Sequence, residues 1–364
     1  MRVSSFRCGL LLGLASALQA QPTFTVTDLG TLGGNLSAAT AINAAGLITG
    51  YATPPVGSSH AFAYVGGTMT DLGTFGGPWS YAYAINAAGQ IAGHANTAPS
   101  PVLRYDHAFL YSGGVKTDLG TLGGHNSYAV GLNTAGTVVG NAQLTGDTTR
   151  HAFVYAGGVM TDLTPTLGAL NSYARAINDA GLIVGSREIT SAMDERAFLY
   201  NGSTFLNLTL SGSRSYAYGI NQAGHVVGQA TTAGNAETHA FLFNGEAVLD
   251  LGTLGGTQSI AHALNALGHV VGASTTAGNA TTHATFYTGG ILYDLNSLVP
   301  APGGWVFSEA LGINDAGAIV GHGLIGGQQH AFLLTPIPEP STYALIFGAG
   351  VLGLAAWRRR RSMI

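Results

Sequence analysis

Short strand-like apolar runs separated by glycine-rich breaks recur from Phe24 to Leu334, and four such elements rotate in constant order. The first, S-x-A-x-[AG]-[IL]-N, ends at Asn43, Asn86, Asn133, Asn178, Asn221, Asn265 and Asn314. The residues four and two before that Asn are always Ala or Gly, and a strand's two-residue period puts them on one face. Such a bare face permits close approach of a neighbouring backbone. The second element is a β-rich pair ending on Gly50, Gly93, Gly140, Gly185, Gly228, Gly272 or Gly321, always seven residues after the Asn. N-x-x-G stands between them, and an Asn side chain capping a turn whose Gly takes the left-handed position is hairpin chemistry.

The third element, H-A-F-[LVA]-Y and its variants, begins at His60, His107, His151, Arg196, His239, His283 and His330. A two-residue turn such as Gly113-Gly114 leads to the fourth, [TL]-D-L, with Asp28, Asp71, Asp118, Asp162, Asn207, Asp250 and Asp294. Eleven residues separate the His and Asp positions in all six continuous copies, so this is a second hairpin whose turn fixes its register. Lengths drift elsewhere, over 9 to 14 residues from the Gly to the His position and 14 to 20 from the Asp position to the next Asn.

Four strands per unit at a period of 43 to 49 residues, seven times over, predict an all-β fold, a seven-bladed β-propeller with four-stranded blades. A right-handed β-solenoid, the competing architecture, prefers shorter and more uniform coils. The chain enters on a fourth element without its third and leaves on a third without its fourth, which predicts closure by the amino-terminal strand, Thr25 to Leu29 against His330 to Leu334. Closure hides the edges an open array would expose. In an antiparallel blade the two invariant turns share one side and the two variable connections share the other, and loops free to vary on a rigid scaffold are where binding usually sits. Trp79 and Trp305 lie in those connections, and Tyr81, Tyr128, Tyr173 and Tyr216 follow the Ser that ends them. These six rings are the candidate ligand-binding residues, since aromatic faces stack on sugars.

Composition narrows the function. Charged residues are 8% of the chain and Gly numbers 55, too apolar for a disordered chain and too glycine-rich for helices. The formal charge is -4, and the body between the termini is more acidic still because six of the 13 basic residues lie in the end segments. Nucleic acid is an unsuitable partner for a body without a basic stripe. The one cysteine, Cys8, lies in a segment 1–20 that reads as a signal peptide, with Arg2 and Arg7 ahead of an apolar run.

After residue 335 the composition changes. Pro338, Glu339 and Pro340 are followed by an apolar run, Tyr343 to Trp357, and then by Arg358, Arg359, Arg360 and Arg361. The run is about 22 Å long as a helix, and snorkelling arginines can make up the rest of a membrane's width, so one C-terminal transmembrane helix is expected. This tail, 336–364, resembles the PEP-CTERM sorting signal, also labelled the C-terminal domain of ice-binding proteins. The resemblance implies export, anchoring in a cell-envelope membrane, and processing by an exosortase with surface display or release. The body, 21–335, resembles the HAF family of extracellular repeat proteins in its HAF-x-Y, DLGTLGG and IN-x-x-G-x-[IV]-[IV]-G motifs, departing from them at Arg196, Asn207 and Ala284-Thr285. No activity comes with that resemblance.

Sevenfold His and Asp positions are poor catalysts, because acid-base chemistry needs a pair in unlike environments. Equivalent histidines one blade apart are also too distant to share a metal ion. The His is assigned a structural role as an interstrand hydrogen bond and the Asp a turn-capping or strand-end role. The expectation is a non-catalytic exported protein, with no cofactor or metal, that binds or scaffolds an extracellular polysaccharide. A propeller hydrolase or lyase is the alternative, for which Asp194, Glu195 and Glu309 are the off-repeat carboxylates.

Overall fold

The computed structural model describes residues 21–98, 105–189 and 194–338. The expected signal peptide and most of the sorting tail, with its expected transmembrane helix, lie outside them. Among the described residues no helix is long and apolar enough to cross a membrane.

Residues Phe24–Pro336 form one compact unit, with 28 strands among its described residues. They make five four-stranded antiparallel sheets and one eight-stranded sheet, in which two four-strand sets meet at a single parallel pairing, Thr238 with Gln258. Each set takes its strands in chain order, as in Ser37–Ile42, Ile48–Ala52, His60–Val65 and Thr68–Asp71. Units one to six span 37–71, 80–118, 123–162, 172–208, 215–250 and 255–294. The seventh combines 306–336 with the strand Phe24–Asp28, which pairs antiparallel with Gln328–Pro336 from Phe24 opposite Pro336 to Asp28 opposite Phe332.

Three repeated devices hold this arrangement. The core lies between neighbouring sheets: Leu119 and Ala108 of unit two pack with Phe153 and Val138 of unit three. The Phe of each H-A-F is buried against the sheet beside the Gly that ends the second element. A side chain on that Gly would collide with the carbonyl five residues before the repeat Asn, as with Gly185 and Tyr173 O.

The second device is a ring of asparagines. Nδ2 of Asn43 donates to Asn86 O at 3.0 Å, Asn86 to Asn133 O at 3.0 Å, and so on around to Asn314, which donates to Asn43 O at 3.1 Å. The seven bonds close on themselves. The side-chain Oδ1 of the same residue accepts the N–H four residues on, for example Leu182 N to Asn178 at 2.9 Å. Each asparagine therefore caps its own turn and links to the next unit.

The third device joins the other elements. The His ring donates from Nδ1 to the Asp eleven residues on, at 2.8 Å for His60 and Asp71. Asp71 Oδ1 accepts from Gly73 N, Ser80 Oγ of the next unit donates to Gly73 O at 2.6 Å, and the Ala61 amide donates to Ser80 Oγ at 2.9 Å. The same chain crosses the termini through His330, Asp28, Gly30, Ser37 and Ala331.

Two features depart from the sequence expectation. In all seven units the pairing of first and second strands slips between the residues four and two before the Asn, as between Ala39 and Ala41. This β-bulge interrupts the two-residue period, so the small residues on either side do not share one face. Ala39 and its equivalents are buried between sheets, whereas Ala41 and its equivalents line the central cavity. Close approach occurs at the latter, where a side chain on Gly131 would lie 3.0 Å from Ala176 Cα of the next unit. Unit three also leads into a helical turn, Thr164–Leu167, with Pro165 in its first positions, and unit six into a 3-10 turn, Leu295–Ser297, where a glycine-rich loop follows Asp28, Asp71, Asp118 and Asp250.

Candidate functional site at the centre of the ring

The first strands of all seven units border one cavity of about 740 Å³. The bulge turns the residue three before each ring asparagine into it. At this position the repeats stop agreeing: the residues are Thr40, Tyr83, Val130, Arg175, Tyr218, His262 and Leu311. The residue five before the Asn contributes Tyr128, Tyr173 and Glu309, and the residue after the second-strand Gly contributes Tyr51, Asn141 and His322. The small residue two before each Asn and the Ile or Leu one before it also border the cavity and are uniform, so the individuality is confined to these three positions and to Arg150.

One side of the cavity is basic and aromatic. The guanidinium of Arg175 lies 5.9 Å from the Tyr173 ring centroid and 5.8 Å from that of Tyr218, and that of Arg150 lies 5.2 Å from Tyr128. Among the described residues neither arginine has a carboxylate within ion-pairing distance. Burial pushes the Tyr218 phenol up to about 12 and the Tyr83 phenol higher still, so both are neutral hydroxyls able to donate.

Three units round the ring the lining is acidic. His262 Nε2 lies 2.6 Å from Glu309 Oε1 and His322 Nε2 3.8 Å from Oε2. Burial pushes the Glu309 carboxyl up, but the His262 hydrogen bond and the charge of both imidazoles outweigh it and hold the group below the usual carboxylate range. Burial lowers His322. Among the described residues no three His, Cys, Asp or Glu side chains converge as a metal site.

The sequence-derived candidates divide. Tyr128 and Tyr173 line the cavity. Tyr81 meets the lining Tyr51 edge-on at 4.9 Å, and Tyr216 stacks on the lining Tyr218 at 6.4 Å, so both contact lining residues without lining the cavity themselves. Trp79 donates its indole N–H to Asp106 Oδ1 at 2.7 Å. Trp305 is 6% exposed and stacked on Phe307, a core residue rather than a platform, because the longest connection folds back over unit seven. Tyr51, Tyr83, Tyr218, Arg150 and Arg175 were not among the candidates. Their signal was disagreement between repeats, at positions flanking the small residues for all but Arg150, which directly precedes His151.

Of the off-repeat carboxylates, Asp194 pairs with Arg196 at 2.8 Å and Glu195 accepts from Ser186 Oγ at 2.6 Å. They belong to unit four and Glu309 to unit seven. Pro338 is exposed, while Glu339, Pro340 and Arg358 to Arg361 lie outside the described residues.

The PEP-CTERM protein-sorting motif matches residues 336–361. The chain matches no curated protein. Among solved structures it is similar to the β-propeller domain of the Trilobed protease from Pyrococcus furiosus, described as having an open velcro topology, at TM-score 0.52 and 8% identity over 87% of this chain and 98% of that one. It is also similar to U3-55K, at TM-score 0.50 and 12% identity over 85% and 98%. These likenesses give the fold: the body is an all-β chain of four-stranded sheets with propeller neighbours, carrying an exosortase-type sorting motif at its carboxyl end.

Proposed function

We propose that the protein is an exported, non-catalytic saccharide-binding propeller of seven blades whose ligand enters the central cavity. Export begins with the segment 1–20, and the apolar run after Pro338-Glu339-Pro340 anchors the chain in the envelope membrane until an exosortase processes it. The observation that carries the reading is the distribution of individuality. A scaffold made of near-identical units keeps its framework residues, some of which also border the cavity, and differs at a few other lining positions, in a set of tyrosines, histidines, arginines and one glutamate. Aromatic faces with a few directed polar groups are what a sugar site requires. A rigid, closed ring also limits the ordering cost of binding. The separation of Glu195 and Glu309 into distant units, each engaged by a neighbour, favours binding over hydrolysis.

A glycan array probed with the purified protein tests this reading. Extracellular polysaccharide fragments should bind, and Tyr83→Ala or Tyr218→Ala should remove the signal while circular dichroism stays native. Binding undiminished in both variants would move the site off the cavity.

A further inference from the structure

The cavity is not electrically uniform. Arg150 and Arg175 bring two guanidiniums to one side, with carboxylate partners for neither among the described residues. Arginine forks are suited to planar oxyanions, and when held against aromatic rings they are pre-oriented. Arg175 sits between Tyr173 and Tyr218 in this way. The other side carries Glu309, ionised and held by His262, which repels any second negative charge and accepts from hydroxyls. Body charge sharpens the contrast, because basic residues there are few. Asn141 adds an unfilled acceptor at the cavity wall: its side chain is 6% exposed and its Oδ1 has no hydrogen-bond partner, which suits a donating ligand hydroxyl rather than the carboxylate.

From this arrangement we infer that the cavity takes an acidic saccharide, a uronic-acid unit whose carboxylate meets Arg150 and Arg175 and whose hydroxyls face Glu309 and His262. The inference rests on the saccharide-binding reading and adds the charge and direction of the ligand. A polyphosphate, which is charged at every group and has no hydroxyls to donate to Glu309, is disfavoured. A neutral sugar leaves two half-buried guanidiniums without a counter-charge.

Isothermal titration of the full chain with trigalacturonate and, separately, with a neutral glucose trisaccharide distinguishes the two levels. Trigalacturonate should bind at least tenfold more tightly than the neutral sugar. Arg175→Gln should weaken trigalacturonate about tenfold or more, as expected for loss of a charge-assisted contact, and weaken the neutral sugar by a clearly smaller factor. Arg150→Lys, which keeps charge but loses the fork, should recover part of what Arg150→Gln loses. Equal binding of both sugars, or trigalacturonate binding that ignores Arg175→Gln in a natively folded variant, overturns the acidic-ligand inference while leaving saccharide binding intact. Failure of both sugars to bind overturns the inference and counts against the parent reading as well. Inorganic triphosphate bound more tightly than trigalacturonate would also overturn it.

Discussion

The asparagine ring makes a quantitative demand on stability. Asn178 is 2% exposed. Truncation to Ala removes Nδ2, which donates to Asn221 O at 3.1 Å, and Oδ1, which accepts from Leu182 N at 2.9 Å. Asn221 O keeps the amide of Gly224 at 3.1 Å, so its loss is that of one ordinary hydrogen bond, about 0.5–1.5 kcal/mol. The Leu182 amide has no replacement in a partly buried turn, which adds about 1–3 kcal/mol. The total of roughly 2–4 kcal/mol corresponds to a fall in Tm of about 3–6 °C for a unit of this length. Asn178→Asp should be worse at neutral pH, because it sets a carboxylate against the Asn221 carbonyl, and should recover in acid as the carboxyl becomes a donor. Because Asn314 donates to Asn43 across the closure, Asn314→Ala should match Asn178→Ala. Differential scanning calorimetry reads all three. A Tm within 1 °C of wild type for Asn178→Ala, or an Asp variant no worse than Ala at neutral pH, would refute the assignment.

Three further outcomes follow from other parts of the fold. His94 packs against the rings of Tyr81, Tyr83 and Tyr128 and faces Asp106, and burial lowers its pKa from 6.5 to about 4. The folded chain thus resists a proton that the unfolded chain accepts, and stability falls by roughly 3 kcal/mol as pH drops through that window; urea titrations at several pH values should show His94→Phe lacking this component. Gly185→Ala, which drives a methyl group into the Tyr173 carbonyl, should cost more than about 4 kcal/mol, seen as loss of soluble folded protein, while Gly157→Ala at an exposed turn should be tolerated as soluble protein at a smaller cost from its left-handed φ of 58°. Deleting residues 22–30 removes the strand paired with Gln328–Pro336 and should abolish cooperative thermal unfolding.

The framework was legible because it repeats. Constant spacings gave both hairpins and the broken repeat gave the pairing of the two end strands, since register and turn chemistry are local properties. The His and Asp roles were legible singly, as an interstrand bond and as a turn-capping or strand-end role, but not their pairing. A clue was present: unit four, which has Arg196 where the others have His, also has Asn207 where they have Asp. Arg196 instead bonds Asp194 and Gly212 O. The bulge was hidden because alternation in the letters does not reveal an extra residue in one strand of a pair. That residue is the one turned toward the axis, so the cavity lining stayed hidden with it. Trp305 misled for a related reason: a ring in a long connection looks exposed until the connection is seen folding onto Phe307 and Phe332.

The most direct test of the central claim is a crystal structure of the protein with the tightest-binding oligosaccharide from the array. The account predicts a sugar ring in van der Waals contact with Tyr83 or Tyr218 inside the cavity, with its polar groups toward Arg175 and Glu309. A sugar seated outside the cavity, against Trp79 or along the connections at the rim, would contradict it.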